Sequence, residues 1–199
     1  MMNARSLASL QEMVNIGVGK GAQVLNTLLI HHVVLDVPTL IETTAEDLMP
    51  ALGIDQKQLL SCVQMAYRGS LQGEVQLLFS SDAASQMVSL IIAQDVAPEE
   101  LDFIRQATLT EVGNIVINAV IGTVSNLLGF RLEYTLPTFR GGNLAQIEAQ
   151  RTLESEELIL LARTTFTIEA LSLKGNMILF FSWPTYKNLE SALERYVQG

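Results

Sequence analysis

Two short polar pairs recur in the chain at the same spacing. Glu12 and Asn15 are followed by Ile16, and Glu111 and Asn114 by Ile115, so the pattern E-x-x-N-I occurs twice. Residues three apart project from one face of a helix, so each pair predicts a carboxylate and an amide side by side. Ala8, Gly19 and Ala22 extend the face of the first pair, and Ala107 and Asn118 that of the second. A polar pair flanked by small side chains on an exposed helix is a surface that a partner can approach closely. After 22 intervening residues each Asn is followed by a proline, Pro38 or Pro137. A single Glu/Asn pair reads most simply as a solvated helix face; repetition at one spacing points to a shared use.

Other patterns carry less chemistry. Gly17 to Ala22 matches G-x-G-x-x-A, but that motif binds a dinucleotide only where it follows a strand and opens a helix. Here the glycines fall inside a helical stripe, which predicts close packing instead. The phosphate-binding loop pattern fails, since Gly21 and Ala22 follow Lys20. His31 and His32 sit at a predicted helix end with no cluster of metal ligands around them. Cys62 lies in an apolar β-rich run and reads as a small core residue. Met13, Met65, Met87 and Met177 read as core packing.

The elements that position the pairs repeat as well. Residues 7–29 reappear as 106–128, and SLQGEVQLLFS (70–80) resembles SLKGNMILFFS (172–182). The shared order of elements predicts a duplicated α/β chain, with halves of about 1–95 and 96–199 packed by pseudo-two-fold symmetry into one domain. In the first half Leu7, Leu10, Val14, Gly17, Gly21, Leu25 and Leu28 recur in steps of three and four, an amphipathic helix near 6–29. Pro98, Glu99 and Glu100 open its counterpart near 98–128, which Gly129 ends. Extended pieces follow at 33–43 and 130–139, then short helical segments at 45–52 and 142–150. The β-rich runs are 58–68 with 71–80, and 157–169 with 172–182. Turn signals lie at Gly69-Ser70 with Gly73, and at Leu173-Lys174-Gly175. Helices over 82–93 and 185–197 close the halves; the latter carries Tyr186, Leu189, Leu193 and Tyr196, to cover the sheet or meet a partner.

Composition narrows the function classes. There are 12 Lys and Arg against 21 Asp and Glu, a net charge of −9, and 49% of residues are hydrophobic. An apolar half excludes a disordered chain, and the acidic balance argues against nucleic acid, which needs a basic footprint. The one cysteine excludes a disulfide framework and suggests a reducing compartment. The start MMNARSLASLQEM lacks the apolar stretch of a signal peptide. No uninterrupted apolar run approaches the ~20 residues that span a bilayer. The expectation is a soluble, cytoplasmic protein without a membrane span.

With E-x-x-N on a long helix, 22 further residues and then Pro, twice in the chain, the sequence resembles the CheC/CheX/FliY phosphatases of chemotaxis, and most of all CheC. The resemblance implies a CheC-like fold: an antiparallel sheet core with two long motif helices on one face. It implies hydrolysis of the phospho-aspartate on the response regulator CheY, a step that needs mostly positioning and charge stabilisation. Asn15 and Asn114 would enter beside the phosphoryl group and orient a water in line. Glu12 and Glu111 would pair with the receiver's lysine and fix the docking register. Pro38 and Pro137 would shape the start of the strand. The resemblance places no cofactor or metal in this chain, with Mg2+ on the receiver, and adds the deamidase CheD as a further partner.

One departure stands out. The family pattern has Asp or Ser four residues before each Glu, where this chain has Ala8 and Ala107. Ser9 and Thr108 come one residue late, a rotation of about 100° on a helix. The two alanines favour the alternative, a non-catalytic module that binds phosphorylated CheY or CheD.

Overall fold

The computed structural model of the chain describes residues 2–28, 32–35, 39–92, 101–150, 157–168 and 171–198. Pro38, His31 and the helix start expected at Pro98 lie outside them. The first half runs α1 (Ala4–Leu28), β1 (Val33–Leu35), β2 (Thr39–Thr43), α2 (Leu48–Leu52), β3 (Leu60–Gly69), β4 (Gly73–Ser80) and α3 (Ser81–Ile92). The same order follows as α4 (Leu101–Leu128), β5 (Leu132–Tyr134), β6 (Thr138–Gly142), α5 (Leu144–Glu148), β7 (Glu157–Ile168), β8 (Leu171–Ser182) and α6 (Trp183–Gln198). The fold is α+β, with an antiparallel sheet core.

The strand order is β1-β7-β8-β4-β3-β5, with β2 also on β7 and β6 also on β3. Each half therefore lends its two short strands to the other half's hairpin. Exchanging the halves reverses the order and reproduces it. Register agrees at the centre, where Gly73 pairs with Phe181 and Phe79 with Gly175, around a Gln76–Ile178 pair. These are symmetric partners in the alignment of 70–80 with 172–182, so a pseudo-two-fold axis passes between β4 and β8.

Side chains alternate across a strand, and both faces of the sheet are covered. Val63, Met65, Leu77, Leu160, Ala162 and Met177 pack toward Leu10, Val14, Val116 and Val120 of α1 and α4. On the opposite face Cys62, Leu78, Leu161 and Ile178 pack with Leu48 and Leu52 of α2 and Leu144 and Ile147 of α5. Asn143 starts α5 with a capping box: its side chain accepts from Gln146 N–H, and the Gln146 side chain accepts from Asn143 N–H, both at 2.9 Å. Gly53 ends α2 in the left-handed region that glycine adopts freely. By length and composition α4 could cross a membrane, yet half of its most apolar stretch is buried within the protein. Apolar residues spread around much of α4 because it packs against both α1 and β3, while Glu111 and Asn118 stay exposed on its outer side.

Two expectations are corrected. Leu173, Lys174 and Gly175 form no turn; they lie in β8, whose pairing with β7 runs back to Ile168–Leu171. A Cβ at Gly175 would meet the Phe79 ring at 2.7 Å, so this glycine serves close aromatic packing within the strand. Ala22 does not extend the exposed face of α1 but is buried in the helix-side core. Met13, Met65, Met87 and Met177 are buried, as are Tyr186, Leu189 and Leu193 of α6, while Tyr196 is exposed.

Candidate functional site

The two pairs sit on α1 and α4, which pack directly on each other as antiparallel helices. A Cβ on Gly17 would lie 2.5 Å from Val120 Cα, and one on Gly21 would lie 3.4 Å from Val116 Cα. In the repeat Gly17 corresponds to Val116 and Gly21 to Val120, so these are one contact repeated about the pseudo-two-fold. The glycines that resembled a nucleotide motif let two helix backbones approach. Gly113 does the same on the sheet side of α4, where a Cβ would come within 2.6 Å of Val63 Cβ.

This crossing sets the distance between the pairs. With Gly17 facing Val120, Asn15 lies opposite a point about eight residues along α4 from Asn114, roughly 12 Å at the helical rise. The glutamates lie further out still. Glu12 and Glu111 are exposed, and Asn15 and Asn114 are half-buried at the foot of each pair. Ala8 and Ala107 are exposed, whereas Ser9 and Thr108 turn partly inward. The hydroxyls one residue late thus occupy a different part of the helix surface from the two alanines.

The amides differ in support. Asn118 Nδ2 donates to Asn114 Oδ1 at 2.7 Å and to the Asn114 carbonyl at 2.9 Å. Asn15 Oδ1 is enclosed and accepts no hydrogen bond among the described residues; Gly19 stands where the second helix has Asn118. In both copies the oxygen is therefore the inner or engaged end of the amide. Neither Nδ2 makes a hydrogen bond among the described residues, so the N–H end is left to a partner. An amide donor beside an exposed carboxylate can bind an oxyanion and a cation at once. The Asn114–Asn118 bond escaped the sequence reading, although Asn at i and i+4 is a signal for it.

Pro137 is partly buried and immediately precedes β6. Cys62 is fully buried between the sheet and the α2/α5 layer. Burial pushes its thiol well up, helped by the charges of Glu74 and Glu148 and opposed by Arg140, which leaves no thiolate nucleophile. No group of three His, Cys, Asp or Glu that could hold a metal is found among the described residues.

No protein-family model matches the chain. Several solved structures do. FliY of Thermotoga maritima superposes with a TM-score of 0.77 at 20% identity, covering 98% of this chain and 99% of that one. The FliM–SpeE complex from H. pylori supplies a match at 0.72 and 9% identity, with 98% of each chain covered. The CheX–CheY–BeF3–Mg2+ complex from Borrelia burgdorferi supplies one at 0.56 and 19% identity, over 83% of this chain and 95% of that one. The chain thus has the fold shared by FliY, CheX and FliM, the CheC-like fold that its sequence resemblance implies.

Proposed function

We propose that this chain is a CheC-type phosphatase that hydrolyses the phospho-aspartate of a CheY-type receiver. The observation that carries the reading is the placement of both Glu–Asn pairs on the outer side of two packed helices, each with its amide N–H end unengaged among the described residues. That a CheX of the same fold forms a complex with CheY supports a receiver as the partner. Docking would set Glu12 or Glu111 against a receiver lysine, since a carboxylate beside the phosphate itself would be repelled. Asn15 or Asn114 would donate from Nδ2 and hold a water in line with the aspartyl oxygen–phosphorus bond. The water oxygen bonds to phosphorus, the aspartyl–phosphorus bond breaks, and the aspartate leaves as carboxylate with inorganic phosphate formed. Mg2+ held by the receiver would neutralise phosphoryl charge; this chain contributes position and orientation.

Ala8 and Ala107 favour a second reading, a module that binds phosphorylated CheY without hydrolysing it. Decay of radiolabelled phospho-CheY separates the two. A phosphatase at substoichiometric amounts consumes the whole pool, whereas a binder changes decay only in proportion to its own concentration. CheD binding rests on the sequence resemblance alone, and co-purification with CheD tests it.

A further inference from the structure

On the face of the sheet away from α1 and α4 there is a cavity of about 600 Å³. Its floor is built by β7 and β8. Arg163 pairs with Asn176 across these strands, and Thr165 with Lys174. Leu161 and Ile178, two residues away on the same strands, pack toward α2 and α5. Alternation therefore brings all four polar side chains to that same face. Arg163 and Lys174 are diagonal neighbours, close enough for both to reach one ligand. Leu52 and Ile54, around the end of α2, and Leu60 of β3 supply an apolar wall.

Charge is what marks the cavity. The chain carries −9 overall, yet the described residues that line the cavity include two cations and no carboxylate. Nearby Asp55 is engaged in its own loop, accepting from Lys57 N–H at 2.7 Å. Arg163 donates one N–H to the Ala51 carbonyl at the end of α2, which holds the guanidinium at the rim. Its other N–H groups, and the Lys174 ammonium, make no hydrogen bond or ion pair among the described residues. Two like charges set as neighbours repel each other unless an anion lies between them.

We infer that this cavity binds a phosphate ester of a small organic molecule. The phosphate would lie between Arg163 and Lys174, with Asn176 and Thr165 as further donors, and the organic body against Leu52, Ile54 and Leu60. The volume suits a ligand of nucleotide size. The Glu–Asn pairs play no part in it, so it stands or falls apart from the phosphatase reading.

Titration calorimetry with AMP, adenosine and inorganic phosphate tests the assignment. AMP should bind saturably at millimolar concentration or below, and more tightly than either fragment. Lys174→Gln and Arg163→Gln should each weaken AMP about tenfold, the scale of one charge-assisted contact. Glu12→Ala/Asn15→Ala should leave AMP binding unchanged. Arg163 also holds α2, so the exposed Lys174 provides the variant that leaves the fold intact. Absence of AMP binding, adenosine binding as tightly as AMP, or parent-like binding by Lys174→Gln would each overturn the inference.

Discussion

The crossing of α1 and α4 fixes where both Glu–Asn pairs stand, and glycine substitutions probe it directly. In Gly17→Ala the new methyl lies 2.5 Å from Val120 Cα and 3.0 Å from the Ala119 carbonyl oxygen. Both are backbone atoms that no rotamer change can move. Carbon–carbon contacts settle at ~3.5–4.0 Å, so the helices must part by on the order of 1 Å. Overpacking of that kind costs ~1–3 kcal/mol, while replacing a helical glycine by alanine returns ~0.5–1 kcal/mol. The net expectation is a loss of roughly 1–2 kcal/mol, or a fall in Tm of several degrees for a chain of this size. Gly19 is the matched control. It lies two residues away on the exposed side, nothing stands within 4 Å of its Cβ position, and Gly19→Ala should stabilise by the propensity alone. Gly21→Ala, at ordinary contact distance from Val116 and Ala119, should fall between them. The assay is denaturant and thermal unfolding of the three variants beside the parent. If Gly17→Ala matched Gly19→Ala in stability, the close backbone crossing would be refuted, and with it the spacing derived for the two pairs.

Three further outcomes are expected. The Cys62 thiol should be inert to a thiol reagent in the folded protein and react only as fast as the chain unfolds, because it is buried and its thiol is pushed up; rapid modification under native conditions would contradict the packing. Tyr186 is pushed up to about 12 from an ordinary 10 by burial first, then by the charges of Glu190 and Glu42. The folded state thus favours its neutral form, so stability present below pH 10 should be lost as pH rises toward 12, and ultraviolet titration should show an ionisation near 12 that Tyr186→Phe removes. In the phospho-CheY assay Glu12→Ala/Asn15→Ala and Glu111→Ala/Asn114→Ala should each leave partial activity and the fourfold variant none. Adding Asn118→Ala to the first double variant should lower the remainder by ~2–10-fold, one hydrogen bond's worth of orientation, whereas an unchanged rate would remove Asn118 from the site.

Local sequence determined the type and order of nearly every described element, because periodicity and punctuation are properties of a few neighbouring residues. The steps of three and four from Leu7 to Leu25 mark α1, and the proline of the second extended piece lies immediately before β6. The Glu–Asn pairs were legible for the same reason, since three residues on a helix fix a shared face. Partner choice was not legible. Nothing near Thr39 or Thr138 says that β2 joins β7 and β6 joins β3, since strand pairing is decided by burial across the whole sheet. Gly175 looked like a turn because a glycine in a strand and one in a turn share the same neighbours; the approaching Phe79 ring tells them apart. Ala22 followed the polar line of α1 yet faces the core, a matter of where the neighbouring helix lies. The cationic cavity unites residues near 52, 163 and 174. Only a folded sheet brings side chains so far apart in sequence onto one face, so its chemistry belongs to the tertiary structure alone.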